Sequence, residues 1–261
     1  MIKRILIANR GEIACRIART CHRLGIDAVA VYSEADQHSR HVRQIGHAIA
    51  IGGAAAADSY LNIDKVIDAA KSSGCDAIHP GYGFLSENPD FADAVEQAGL
   101  IFIGPRADSL RRFGDKSAAK KEAVKAQVPV IPGSEGKLTD PQAIAELVNT
   151  MTPPVMLKAA AGGGGKGMRV LNDFSNLDAD IAAAMSESLR SFSDDALLVE
   201  QCINNARHVE VQIAGDGEGN VIHLFERECS LQRRHQKVVE EAPAIFLSAQ
   251  LREKLLADAC R

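Results

Sequence analysis

The feature that most constrains this 261-residue chain is a rhythm in its amino-terminal part: a short apolar run, an amphipathic stretch closed by glycine, then another apolar run. Ile5-Leu6-Ile7-Ala8 is followed by a helical pattern over 12–24 that stops at Gly25, and then by Ala28-Val29-Ala30-Val31. The alternation continues through a strand at 47–51, a helix over 61–73 closed by Gly74, and a strand at 76–78. A helix over 89–98 closed by Gly99 and a strand at 100–103 complete it. Glycine accepts the left-handed conformation that ends a helix, and runs rich in β-formers after each stop imply parallel strands joined by crossover helices. Such a sheet is covered on both faces, so the rhythm predicts a Rossmann-like α/β domain.

Beyond Gly114 the pattern changes. A charged helical stretch over 115–127 is followed by Pro129 and Pro132, and the strands then take on hairpin character. One hairpin is expected from 154–160 and 167–171, another from 207–214 and 220–227 around the turn GDGEG at 215–219. The alanines at 54–57 read as loop. The last helix begins at Ser248, a suitable N-cap, and the sequence stops at Arg261 inside it. Two domains are expected, 1–114 with the parallel sheet and 115–261 of α+β type, truncated at the carboxyl end.

Composition excludes several partners. Hydrophobic residues make up 46% of the chain, enough for a sizeable core, and the formal charge of −4 carries no long Lys/Arg block. Neither nucleic acid nor an anionic membrane is an expected partner. No apolar run reaches membrane-spanning length, and the first residues already read as strand, which leaves no room for a leader. The six cysteines contain no CxxC pair, and with several in apolar segments they suggest reduced thiols and a cytoplasmic location.

Four segments could carry chemistry. The run GGGGKG at 162–167 lies between two expected strands and holds more glycine than a turn needs. Glycine lets a backbone approach a ligand and turn its N–H groups toward an anion, so a phosphate-covering loop is the functional reading, against a plain surface hairpin. It is not a Walker A loop, since Gly167 follows Lys166, and the first strand lacks GxGxxG, so no dinucleotide is expected there. Lys116 and Lys158 are candidate phosphate clamps. Glu200-Gln201-Cys202-Ile203 closes an apolar strand, where backbone groups and an acidic side chain could meet a purine edge.

The densest polar stretch spans 226–241. Its bland reading is a solvated face. In the strand before it Val209, Val211 and Ile213 alternate with His208, Glu210 and Gln212, so a polar face could run on into Gln232, His235 and Lys237 and line an anion pocket. The segment HPGYGFLSENP at 79–89 follows a strand and could be ligand edge or turn punctuation.

Taken together, ANRGEIA at 8–14, HPGYGFLSENP at 79–89, GGGGKGM at 162–168 and RRHQKVVEEAP at 233–243 resemble biotin carboxylase over essentially the whole chain. The resemblance implies a pre-ATP-grasp domain followed by an ATP-grasp domain, with a lid subdomain at about 131–203. It implies ATP and Mg2+ (or Mn2+) as cofactors and biotin, borne on a carrier domain, as the group carboxylated from bicarbonate through carboxyphosphate. It assigns Lys116, Lys158, Gly164, Gly165, Glu200, Gln201, Cys202, Ile203, His208 and His235 to the nucleotide, and makes Lys237 and His235 catalytic, Lys237 on bicarbonate. A carboxyltransferase subunit and a homodimer contact through the first helix, around Arg16 and Arg19, are the implied partners.

The family pattern continues past Arg261. The acidic metal ligands, the glutamate base and the arginines that hold bicarbonate and the biotin enolate lie in that continuation and are not assigned, so a polypeptide ending at Arg261 is expected to be inactive. Two other readings stand beside this one. One is another bicarbonate-activating ATP-grasp ligase, such as a carbamoyl-phosphate synthetase half. The other is a truncated, non-catalytic nucleotide-binding or dimerisation module. The acyl-CoA used by a parent enzyme is not legible.

Overall fold

The computed structural model describes residues 2–161, 167–233 and 236–261, with Lys116 described by its backbone alone. The chain divides into two compact units, Met1–Asp115 and Lys116–Arg261.

In the first unit, strands β1 (Arg4–Ile7), β2 (Asp27–Tyr32), β3 (Ala48–Ala50), β4 (Ala77–His79) and β5 (Ile101–Phe102) pair in parallel in the order β3-β2-β1-β4-β5. Crossovers are made by α1 (Gly11–Arg23), α2 (Arg40–Ile45), α3 (Ile63–Ser72) and α4 (Pro89–Gln97), and α5 (Ala107–Gly114) closes the unit. Alternation in β1 splits the core. Ile5 and Ile7 meet Ala14, Ile17 and Cys21 of α1. Leu6, with Val29, Val31 and Ile78, meets Val66 of α3 and Phe91 and Val95 of α4. Both sheet faces are covered, as near-continuous apolar strands require.

Strand order reverses between β1 and β4, and the two motifs that follow these strands are knitted together there. The Asn9 Nδ2 donates to the carbonyls of Pro80 (2.7 Å) and Tyr82 (2.8 Å), and the Gly81 N–H donates to His79 Nδ1. Gly81 sits at φ +66°, and a Cβ there would lie 2.8 Å from Asn9 Nδ2. Arg10 reaches Asp36 at 2.9 Å and lies over the rings of Tyr60 and Phe84, which stack at 4.9 Å. ANRGEIA and HPGYG thus hold each other, and the edge is built of internal hydrogen bonds.

The second unit contains α6 (Lys116–Lys125), α7 (Pro141–Asn149) and α8 (Leu177–Phe192), with α7 and α8 packed on an antiparallel sheet of β6 (Val155–Ala159), β7 (Met168–Leu171) and β8 (Leu197–Gln201) in the order β7-β6-β8. Asp140 caps α7 through the Gln142 N–H. A second ribbon pairs β9 (Val209–Gly215) with β10 (Val221–Glu228), and a short hairpin pairs β11 (Gln232–Arg233) with β12 (Gln236–Lys237). Helix α9 (Ala249–Cys260) packs on the ribbon, its Ser248 cap accepting from the Leu251 N–H. Helices α2, α5, α7 and α8 lie outside the elements read from the sequence, and 56–58 form a short 3-10 turn where loop was expected. No helix among the described residues is long and apolar enough to cross a membrane.

Candidate functional site

Period-two alternation gives the three-stranded sheet of the second unit two different faces. Val155, Leu157 and Ala159 of β6 and Leu197 and Val199 of β8 are buried toward α7 and α8. Met156, Lys158, Met168, Leu198 and Glu200 therefore share the opposite face, because Lys158 is registered with Met168 and Leu198, and Met156 with Glu200. On that face the Lys158 ammonium is ion-paired with the Glu200 carboxylate, both partly exposed. An ion pair flanked by two methionines and a leucine is an arrangement that can take a flat apolar ring and a polyphosphate side by side.

Next to it lies a recess of about 280 Å³, lined in part by Lys120 of α6, Ile131, Ser134, Leu198 and Glu200. Gly133 and Ser134 run along β8, and the Ser134 N–H donates to the Val199 carbonyl at 2.8 Å. The expected hinge resolves unequally. Gln201 turns away, its amide donating to the carbonyls of Thr152 (2.7 Å) and Pro154 (2.8 Å). The backbone N–H groups of Gln201 and Cys202 are bound to the carbonyls of Pro132 and Pro154. Ile203 is exposed.

The glycine run falls in the connection between β6, which carries Lys158, and β7. Residues 162–166, with Gly164 and Gly165, lie outside the described residues, as do His235 and the side chain of Lys116. Gly167 is described: at φ +69°, its carbonyl accepts from the Ala159 N–H at 2.7 Å, and a Cβ there would meet the Ala159 Cβ at 2.7 Å.

A second cluster sits on one face of the β9–β10 ribbon. Glu210 is registered with Arg227, and the Cys229 N–H donates to the His208 carbonyl at 2.8 Å, so His208, Glu210, Arg227 and Cys229 project to one side. Arg227 donates to Glu210 at 2.7 Å, and Lys237 from β12 ion-pairs with the other oxygen of the same carboxylate. Burial alone would raise the Glu210 carboxyl, but hydrogen bonds from Lys237 and Arg227 override it and hold the carboxyl below its usual range. The hydrogen bond to Glu210 raises the Lys237 ammonium in turn. Lys237 is thereby a fixed, partly exposed cation.

Glu226 and Glu228 turn to the other face of the ribbon, where Glu226 is fully buried and accepts from Arg252 of α9 at 2.7 Å and from the Ala244 N–H at 3.2 Å. The polar stretch at 226–241 is thus neither a uniform solvated face nor a uniform pocket lining. Met156 and Leu198 belong with the candidate site although motif reading did not single them out for it, whereas Glu210 stands on the polar face expected from strand alternation. Strand alternation is the signal that finds them.

Two family profiles tile the sequence: the biotin carboxylase N-terminal domain over residues 1–110, and the carbamoyl-phosphate synthase L chain ATP-binding domain over residues 115–261. The chain belongs to the biotin carboxylase family. It is 51% identical over 254 residues to the mitochondrial methylcrotonoyl-CoA carboxylase subunit alpha of Dictyostelium discoideum, covering 97% of this chain and 36% of that protein. A biotin carboxylase from Campylobacter jejuni, solved as a βγ-ATP complex, superposes with a TM-score of 0.92 at 48% identity, over 100% of this chain and 58% of that one. The biotin carboxylase domain of Hydrogenobacter thermophilus 2-oxoglutarate carboxylase, solved as a dimer with MgADP, ADP and bicarbonate, gives 0.89 at 43%, over 100% and 57%. The chain therefore spans about a third of the carboxylase subunit and over half of the solved carboxylase chains. Both clusters lie within residues 115–261, the part matched by the ATP-binding domain profile.

Proposed function

We propose that the protein carrying this chain is an ATP-dependent ligase that carboxylates biotin with bicarbonate, as the biotin carboxylase component of an acyl-CoA carboxylase. One observation carries the reading: Lys158 and Glu200 are paired on an otherwise apolar sheet face. In this reading Lys158 and Lys116 bind the nucleotide phosphates, and Gly164 and Gly165 close over them within a lid at about 131–203. Glu200 and the Gln201–Cys202–Ile203 segment hold the adenine, with Gln201 and Cys202 acting through their carbonyls because their N–H groups are already bonded. His208 and His235 complete the nucleotide site. Lys237, held as a cation by Glu210, binds bicarbonate.

A bicarbonate oxygen attacks the γ-phosphorus, the bond to ADP breaks, and carboxyphosphate forms. It breaks down to phosphate and CO2, which the deprotonated ureido nitrogen of carrier-borne biotin captures. Fixed ammonium groups stabilise charge on the phosphoryl oxygens, and a closed cover keeps water from the intermediate. Magnesium bound with the nucleotide would supply further charge neutralisation; its ligands are not among the residues assigned here. A biotin carrier domain and a carboxyltransferase are the expected partners. Homodimerisation through α1, around Arg16 and Arg19, is the expected assembly. Six free thiols support a reducing compartment such as the cytoplasm.

The test is ADP formation from ATP by the full natural subunit. Dependence on bicarbonate, stimulation by free biotin, and a roughly 100-fold loss in Lys237→Gln are expected. Bicarbonate-dependent ATP cleavage indifferent to biotin would instead indicate a different bicarbonate-activating ligase.

A further inference from the structure

The face of the ribbon that carries Lys237 also gathers an imidazole, a carboxylate and a thiol. His208, Glu210 and Cys229 each present one donor atom, and these atoms all lie within 4.8 Å of one another. The backbone fixes them. The Cys229 N–H donates to the His208 carbonyl, and the His208 N–H donates to Ser230 Oγ, both at 2.8 Å, which places the two residues across from each other at the root of the ribbon. Glu210 stands two residues along the same strand, on the same side. Cys229 is fully buried and His208 is exposed, so the set has a closed floor and an open mouth.

We infer that His208, Glu210 and Cys229 form a binding site for a thiophilic divalent cation of the zinc type, which enters by displacing Lys237 from Glu210. One nitrogen, one sulfur and one oxygen donor are three of the four positions that tetrahedral zinc takes, leaving the fourth for water. The donors need to close by only about 1 Å to reach the roughly 3.2–3.7 Å separations that such bond lengths impose. The set is unsuited to magnesium, which demands oxygen donors in octahedral array, so it is distinct from the metal that accompanies a nucleotide.

Coordination changes the electrostatics of the cluster. The Cys229 thiol proton leaves to solvent, the sulfur takes the metal, and Glu210 gives up the oxygen that holds Lys237. Lys237 then loses its anchor, and the cation becomes an inhibitor of whatever anion chemistry Lys237 serves. Binding itself is read without nucleotide, bicarbonate or biotin, so it stands or falls separately from the carboxylase reading.

The test uses the whole 261-residue chain. Cobalt(II) is added first, because a thiolate ligand gives it an intense near-ultraviolet charge-transfer band, and zinc is then titrated against a chromophoric chelator. The expected result is one cobalt per chain with a thiolate band that zinc abolishes. Cys229→Ser should remove the band, and His208→Ala, at an exposed position that leaves folding intact, should weaken zinc by at least about tenfold. Lys237→Gln should tighten zinc, since the competitor for Glu210 is gone. A band that is absent, or that persists in Cys229→Ser, would overturn the inference, as would weaker binding in Lys237→Gln.

Discussion

Asp36 shows how a single carboxylate can organise a sheet edge. Burial opposes its charge, but hydrogen bonds from Arg10, Tyr60, Ser33 and Ser39 prevail and lower its pKa from 3.8 to about 2, while burial, with Asp36 alongside, pushes the Tyr60 hydroxyl up to about 12. A carboxyl depressed on folding contributes stability that is complete above its unfolded value and is lost as pH falls through its folded value. The difference corresponds to about 2 kcal/mol, present at neutral pH and lost between roughly pH 4 and pH 2. Asp36→Asn should therefore lower the melting temperature of the first unit at pH 7 by roughly 5–10 °C and flatten its acid limb, both measurable by circular dichroism. At the second cluster Glu210 holds Lys237, so in the full subunit Glu210→Gln should raise the KM for bicarbonate more than the KM for ATP. Equal effects on both would argue for a merely structural role. Neither carboxylate was legible as a partner, because sequence shows spacing along the chain and both pairings cross between elements.

At the scale of elements, the last glycine of the loop is a packing residue. Gly167→Ala would force a side chain into a left-handed backbone at φ +69° with its Cβ 2.7 Å from the Ala159 Cβ and 3.0 Å from the Phe192 ring. The cost is expected to be about 2 kcal/mol or more, seen as a lower urea midpoint for the second unit. Helix α9 is tied to its ribbon by Arg252, whose removal would leave the buried Glu226 carboxylate without its cation. Arg252→Ala should cost about 1–3 kcal/mol in the same measurement. The parallel strands were legible because buried strands bounded by glycine stops have few other readings. Helix α8 was not, although Leu177, Ile181, Ala184 and Ser188 form a buried stripe, because alanine and serine weaken the apolar contrast on which period reading relies. In the same way 79–89 read equally as ligand edge or turn. The bonds from Asn9 to the Pro80 and Tyr82 carbonyls show that it is tied to the segment following β1.

For the molecule as a whole, the resemblance supplied what periodicity could not: the chemistry of the loop, the lysines and the polar stretch. Geometry then sorted those residues, putting Lys158 with Glu200 and Lys237 with Glu210 and turning Gln201 and Glu226 elsewhere. If α1 is the dimer contact, Arg19→Glu should shift the protein from dimer to monomer in light scattering without changing its circular dichroism. The central claim, that the face carrying Lys158 and Glu200 is an ATP site, is tested most directly by calorimetric titration of the chain with MgATP. One nucleotide per chain is expected, with affinity reduced roughly 10- to 100-fold in Lys158→Met, as for loss of a charged hydrogen bond. Absence of binding, or equal binding by the folded Lys158→Met chain, would contradict it.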